Sequence, residues 1–424
     1  MSEGSGGSVQ GKRPQVTAAA GCLSLVVLVI LFNMVLFWLF SRQSGAAQAR
    51  ALSLVAGVLN GAKVAIFLSI VYIYLPARII PFRPEDTALD RLFVSFAVMA
   101  SVMTIIVHIL ALLRLYDWVS AWLSIVAVLV GGGYLRNRWM GGEPGHAFRQ
   151  RMVYAFADVL DAADNPWRVV SGILVPFFRS IVAQIWNWWA RVVAQVLSLD
   201  GVLVATALAW PVYMRLQYPV AYASYAYSDP YVHLAWMKYM TMGMIYRDGI
   251  YPHGMHAVLS VLDKATFLDP YWIFRFAGAL FGVLMVVTVF HTVVRATGDA
   301  ASAALAAFVY GLELGLPKSG WRQCQTLPQE MAAVFFLPGI VFLADFCSTG
   351  NRRSLAFYLA CFFMTLVTHP FASFYLLIAT ACMVFAAIVS RSVRYRTVAD
   401  LLGAGLSVTA VGTLPYTVGL ALGK

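Results

Sequence analysis

The sequence predicts an all-α protein: a polytopic transmembrane helical bundle of about eleven spans. Three observations predict it. Hydrophobic residues fill 61% of the 424 positions and charged residues only 12%, about half the roughly 25% of a soluble domain. The apolar residues gather in runs near the ~20 residues that a helix needs to cross a bilayer. Lys and Arg alternate between rich and poor loops from one run to the next, as the positive-inside rule requires.

The apolar runs lie at about 21–41, 52–75, 92–113, 117–135, 199–216, 271–294, 299–316, 329–347, 354–369, 371–390 and 399–422. The first follows Lys12-Arg13 and precedes Ala47-Gln48-Ala49, so a cleaved signal peptide competes with an anchor. Its apolar core is long for a signal peptide, which favours the anchor. With the amino terminus in the cytoplasm, the basic clusters Arg78/Arg83/Arg91, Arg136 to Arg191, Arg352/Arg353 and Arg391/Arg394/Arg396 all fall inside. The 217–270 loop then lies outside, and the expected location is the cell (plasma) membrane. The net charge of +11 points to nucleic acid in a soluble protein. Here membrane topology accounts for it, so lipids and not nucleic acid are the expected partners. The five cysteines show neither C-x-x-C pairing nor metal-ligand spacing.

The chain divides at 136–198. Residues 1–135 hold four auxiliary spans, and 136–198 form a cytoplasmic or interfacial amphipathic connector. Residues 199–424 form a second module whose first span leads into the 217–270 loop. The connector's run from Phe177 to Arg191 is dense in Trp and Arg, a composition suited to the headgroup layer.

The loop carries the chemistry. Ser228-Asp229-Pro230-Tyr231-Val232-His233 has the form of a helix start, with Asp229 as N-cap and Pro230 at the first helical position. Held there, Asp229 serves as a cap, a general base or a metal ligand. A helix over 230–246 should present Trp236, Met237, Tyr239 and Met240 to the interface. Tyr251-Pro252-His253-Gly254-Met255-His256 sets two histidines three apart, for metal ligation, for phosphate or sugar hydroxyls, or for packing. Gly254 between them favours a helix start. Lys318, Arg322 and Glu330 flank Trp321 in a second external segment, suited to a phosphate and a sugar ring. His369 lies in Thr368-His369-Pro370 at the outer end of the ninth span. Glu313, Lys63 and His108 are ionisable residues within spans, where such groups face cavities.

A first external loop bearing Asp229 in this setting resembles the GT-C class of membrane glycosyltransferases. Asp229-Pro230-Tyr231 is similar to the Asp-Pro-Tyr element of oligosaccharyltransferase catalytic subunits. Tyr251-Pro252-His253-Gly254-Met255-His256 and His369-Pro370 resemble segments of bacterial GT-C-like membrane proteins. The resemblance covers about 199–424 and implies a GT-C-like module with amphipathic helices in its large external loop. It implies transfer of a sugar from a polyprenyl-phosphate-linked donor to an external glycan or protein acceptor. Asp229 would act as catalytic base or bind a divalent cation (Mg or Mn). His233, His253, His256, Lys318, Arg322, Glu330 and His369 would bind substrate. The carboxyl-terminal Trp-Trp-Asp motif and soluble domain of oligosaccharyltransferases are missing, and GT-C modules usually hold more than seven spans. A longer chain or a membrane-protein partner would supply the difference. No nucleotide-binding fingerprint occurs, so no nucleotide cofactor is expected. The competing classes are a scaffold or assembly subunit, and a transporter or flippase of a lipid-linked glycan.

Overall fold

The computed structural model describes residues 57, 59–139, scattered positions from 171 to 190, 199–222, 224–225, 227–312, 325–391, 393–421 and 423. The expected span 21–41 lies outside them, as do Glu313, Lys318, Trp321, Arg322 and most of the connector. The connector positions described from 171 to 190 are exposed, Trp186 among them.

Every regular element among the described residues is a helix. We number them α1 (Leu59–Ile79), α2 (Ala88–Leu112), α3 (Trp118–Trp139), α4 (Leu199–Ala221), α5 (Asp229–Thr241) and α6 (Gly254–Thr266). They continue with α7 (Pro270–Thr297), α8 (Ala300–Leu312), α9 (Pro328–Thr349), α10 (Arg352–Thr368), α11 (Pro370–Val389) and α12 (Tyr395–Ala421). Seven of these are long and apolar enough to cross a membrane: α1, α2, α3 (over Trp118–Arg136), α7, α9, α11 and α12. The chain is a multi-pass membrane protein. Of the other expected spans, 199–216 falls in α4 and 354–369 in α10. The 299–316 run begins as the short apolar helix α8, with 313–316 beyond the described residues.

The chain forms two compact units, residues 1–82 with 122–192 and residues 83–121 with 193–424. In the first, Ser69–Tyr74 of α1 make a π-helical turn, and the Leu75 N–H bonds the Ile70 carbonyl. Pro76 follows directly. It has no N–H for an ordinary bond back to Tyr72, and the widened turn absorbs that loss. Arg136 of α3 donates to the Ala77 and Arg78 carbonyls at 3.2 and 2.7 Å. Gly132 makes the approach workable, because a Cβ there would lie 2.6 Å from Ile79.

In the second unit, prolines at helix starts do much of the punctuation: Pro230, Pro270, Pro328 and Pro370 each open a helix, where the missing N–H costs nothing. Asp269 and Asn351 cap α7 and α10 through side-chain oxygens, and Gly298 and Gly350 end α7 and α9 in left-handed conformation. α7, α9 and α10 pack in sequence, with α4 and α8 on the α7 side and α11 and α12 on the α10 side. The windows of α11 and α12 are only 17% and 11% buried. Phe371, Phe385, Leu402 and Leu406 stand bare, an apolar surface that belongs in lipid. The sequence division at 136 leaves α2 among the auxiliary spans. In the structure α2 packs on α6, α9 and α10 of the second unit.

α6 positions the site. It is too short to cross a bilayer, yet Gly254 to Val261 are all buried, between α2, α5, α7 and α10. The Tyr116 hydroxyl pins it at 2.9 Å from Ser260 Oγ. Its first residue is Gly254, where a Cβ would sit 2.8 Å from both the Val367 carbonyl and Thr368 Oγ1. Only glycine lets α6 start against the end of α10.

Candidate functional site

The site is built where α5 and α6 begin and where α10 passes into α11. Asp229 is the first residue of α5, with Ser228 as the flanking residue and Pro230 behind it. Ser228 takes the cap position that the sequence pattern suggests for Asp229, and it caps by its backbone alone. Its carbonyl accepts from the Tyr231 and Val232 N–H groups at 3.0 and 3.4 Å, and its side chain makes no cap bond. The Asp229 side chain is exposed. Its carboxylate therefore remains available for chemistry.

His233 follows four residues later, on the same helix face, and is buried. Its Nδ1 lies 3.2 Å from Nε2 of the fully buried His256; one nitrogen donates and the other accepts, according to tautomer. His253 packs on His256 with ring centroids 5.0 Å apart. Trp236 stands at the centre, 5.1 Å from His233, 5.9 Å from both His253 and His256, and 4.9 Å from Tyr251. Tyr246 closes the far side, edge-on to His253 at 5.0 Å. Its φ of +59° is a strained, left-handed conformation for so bulky a residue. His369 is shared as the last cap of α10 and the first of α11.

Burial sets the electrostatics. It holds His233 down at about 4, with the Asp229 carboxylate pulling up and His369 pushing down. It holds His253 down at about 3, with His108 adding to the effect. His256 lies well below its ordinary value through burial, reinforced by His253, His233 and His108. Burial and the Asp229 carboxylate together push Tyr251 up to about 12. At neutral pH the three histidines are therefore uncharged. They offer hydrogen bonds and not the positive charge that a phosphate ligand would draw on. His256 Nδ1, Tyr246 Oη and Thr368 Oγ1 are buried and without a hydrogen-bond partner among the described residues, an unusual concentration at one end of one unit.

Asp229, His233, His253, His256 and His369 are thus gathered at one end of the second unit. Glu330 sits in the half-buried first turn of α9, and Lys318 and Arg322 lie outside the described residues. No group of three or more His, Cys, Asp or Glu side chains among the described residues is arranged to hold a metal ion.

The sequence singles out His108 without naming a partner for it; the structure supplies one, the Thr104 carbonyl 2.7 Å from His108 Nδ1. Sequence reasoning passed over a second polar group at the opposite end of α7. There Asp90 Oδ1 lies 2.8 Å from His291 Nε2, Arg295 lies 3.8 Å from Asp90 and pairs with Asp345, and Arg353 clasps Asp86. Asp90 also closes a capping box with Thr87. Two signals were present: the Thr-x-x-Asp spacing at 87–90 and a histidine inside an apolar run.

Comparison with known proteins finds no matching protein family, no matching curated protein and no matching solved structure.

Proposed function

We propose that the chain is a membrane glycosyltransferase of GT-C type, moving a sugar from a polyprenyl-phosphate donor to an extracytoplasmic glycan or protein acceptor. The observation that carries this reading is the exposed Asp229 carboxylate, left unspent by the helix it begins and set beside buried, neutral histidines. Asp229 takes the proton of the acceptor hydroxyl while that oxygen bonds to the anomeric carbon. The anomeric carbon–oxygen bond to phosphate breaks, and the polyprenyl phosphate leaves with the bonding pair, inverting the centre. His233, His253 and His256 orient hydroxyl groups by hydrogen bonding. Lys318 and Arg322 are assigned to the donor phosphate by the resemblance alone, and Glu330 and His369 to substrate binding.

Asp229→Asn and Asp229→Ala in cells test this, with surface glycans or glycoprotein mass as the readout and protein level as control. A positioned general base contributes about 10²- to 10⁴-fold, so product should fall at least about a hundredfold. Unchanged glycosylation at normal protein level would sink the transferase reading and leave the scaffold one.

A further inference from the structure

We propose that the turn between α11 and α12, with the groove running from it along α10 and α12, seats an anionic phospholipid. Arg352, Arg391, Arg394 and Arg396 hold its phosphate, and its acyl chains lie along the helices. α10 starts and α11 ends here, so the site is at the end of the second unit away from Asp229 and the histidines. This lipid is therefore no part of the transfer step.

The groove follows from how the last helices are seated. α11 and α12 both pack on α10, α11 also on α9, and neither packs closely on the other. α12 is fixed far along, where a Cβ on Gly412 would lie 2.6 Å from Leu366 of α10. Near its start it is tied by Arg352 to Asp400 at 3.4 Å. Between these two points there is room. A Cβ on Gly405 would meet nothing within 4 Å. Ala356 and Leu359 continue the α10 face that Arg352 begins, and they are exposed and half-buried. Leu402 and Leu406 of α12 are 61% and 71% exposed. Bare aliphatic side chains of this kind suit hydrocarbon.

Arginine gathers at the mouth. Arg391, Arg394 and Arg396 occupy the short connection between α11 and α12, and all three are exposed. The turn that leads into α10 abuts it, with a Cβ on Gly350 placed 3.8 Å from Thr397 Oγ1. Asp400 is paired with Arg352, while Asp86 and Asp345 are taken by Arg353 and Arg295. Arg391 and Arg394 make no ion pair among the described residues. Residues 350–400 hold five arginines and no lysine. Membrane topology asks only for positive charge, which lysine would supply. The guanidinium fork instead meets two phosphate oxygens at once. Tyr395, between Arg394 and Arg396, is 78% exposed, as suits a ring at headgroup depth. A free phosphate would leave the apolar groove unused, and a zwitterionic lipid would bring its own cation against the arginines. An anionic phospholipid uses both parts.

The test is native mass spectrometry of the full chain released from detergent micelles, with phosphatidylglycerol, phosphatidylcholine and inorganic phosphate added in turn. Phosphatidylglycerol should be held about tenfold more tightly than phosphatidylcholine, and phosphate not retained. Arg391→Gln combined with Arg394→Gln should weaken phosphatidylglycerol by about fivefold for each arginine removed. Arg114→Gln combined with Arg138→Gln, an equal loss of exposed charge elsewhere, should leave it unchanged. All four side chains are exposed, and the melting temperature of each variant confirms that it folds. Equal retention of the two lipids, retention of phosphate alone, an unchanged affinity in Arg391→Gln/Arg394→Gln, or the same loss in both pairs would overturn the proposal.

Discussion

Gly254→Ala is the sharpest probe of how the site is held. The added methyl would lie 2.8 Å from the Val367 carbonyl oxygen, 2.8 Å from Thr368 Oγ1 and 2.9 Å from Val367 Cγ2. The threonine hydroxyl can rotate away, but a backbone carbonyl within α10 cannot. Overpacking of this kind costs about 1–3 kcal/mol. A Gly→Ala gain in helix propensity offsets at most ~1 kcal/mol, less in a first turn. A net loss of about 1–2 kcal/mol corresponds to roughly 2–8 °C for a unit of this size. α6 must also slide away from α10, lengthening the 3.2 Å contact between His233 and His256. The assay is thermal unfolding of the full chain in nanodiscs, followed by tryptophan fluorescence. Gly403→Ala is the control, since a Cβ there meets nothing within 4 Å and should leave the melt unchanged or higher. If Gly254→Ala melts with the wild type and Gly403→Ala, the close approach of α6 and α10 is not what holds the histidines.

Two further outcomes are expected. The buried histidines should make the fold acid-labile: the unfolded chain protonates them below their ordinary 6.5, while folded His233 and His253 wait until about 4 and about 3. The folded state then binds fewer protons, so stability is complete above pH 6.5 and falls as pH drops toward 4. At about 1.4 kcal/mol per pH unit for each group, the loss reaches several kcal/mol. Asp263, raised by burial to about 6, works in the opposite sense but is one group against three. A melting temperature that stays level from pH 7 to pH 4.5 would show that these histidines are not buried in the neutral form. At the other end, Asp90→Ala removes the partner of His291 and half of the α2 capping box, at about 2–4 kcal/mol. Asp90→Asn keeps an acceptor for Thr87 and should cost less than half as much. An Asp90→Ala protein that unfolds at the wild-type temperature would remove the network from the account of stability.

Seven of the eleven expected spans appear as helices long and apolar enough to cross a membrane, and they were legible from their apolar runs, some with a proline at the first turn and a glycine or cap at an end besides. α7 shows all of these, from Asp269-Pro270 to Gly298. The start of α6 at Gly254 was legible for the same reason. Grouping was not. Asp90 and His291 are 201 residues apart, and no local pattern reports that α2 packs on α6 and α10. At Ser228-Asp229 two good caps stand side by side, and sequence alone favoured the wrong one. His253 and His256 could be read as a pair and His233 as part of a motif. That His233 meets His256, and that Trp236 and Tyr246 enclose them, depends on tertiary packing with no periodicity of its own.

The junction at His369 makes the chain sensitive to length. One residue both ends α10 and begins α11, with no loop between to absorb a change of register. Inserting a single amino acid after Thr368 would shift α11 against α10 and carry His369 away from its place at the junction. Loops elsewhere in such a bundle tolerate insertions readily. Here the spacing between Val367, which crowds Gly254, and Pro370, which starts the next span, behaves as one indivisible word.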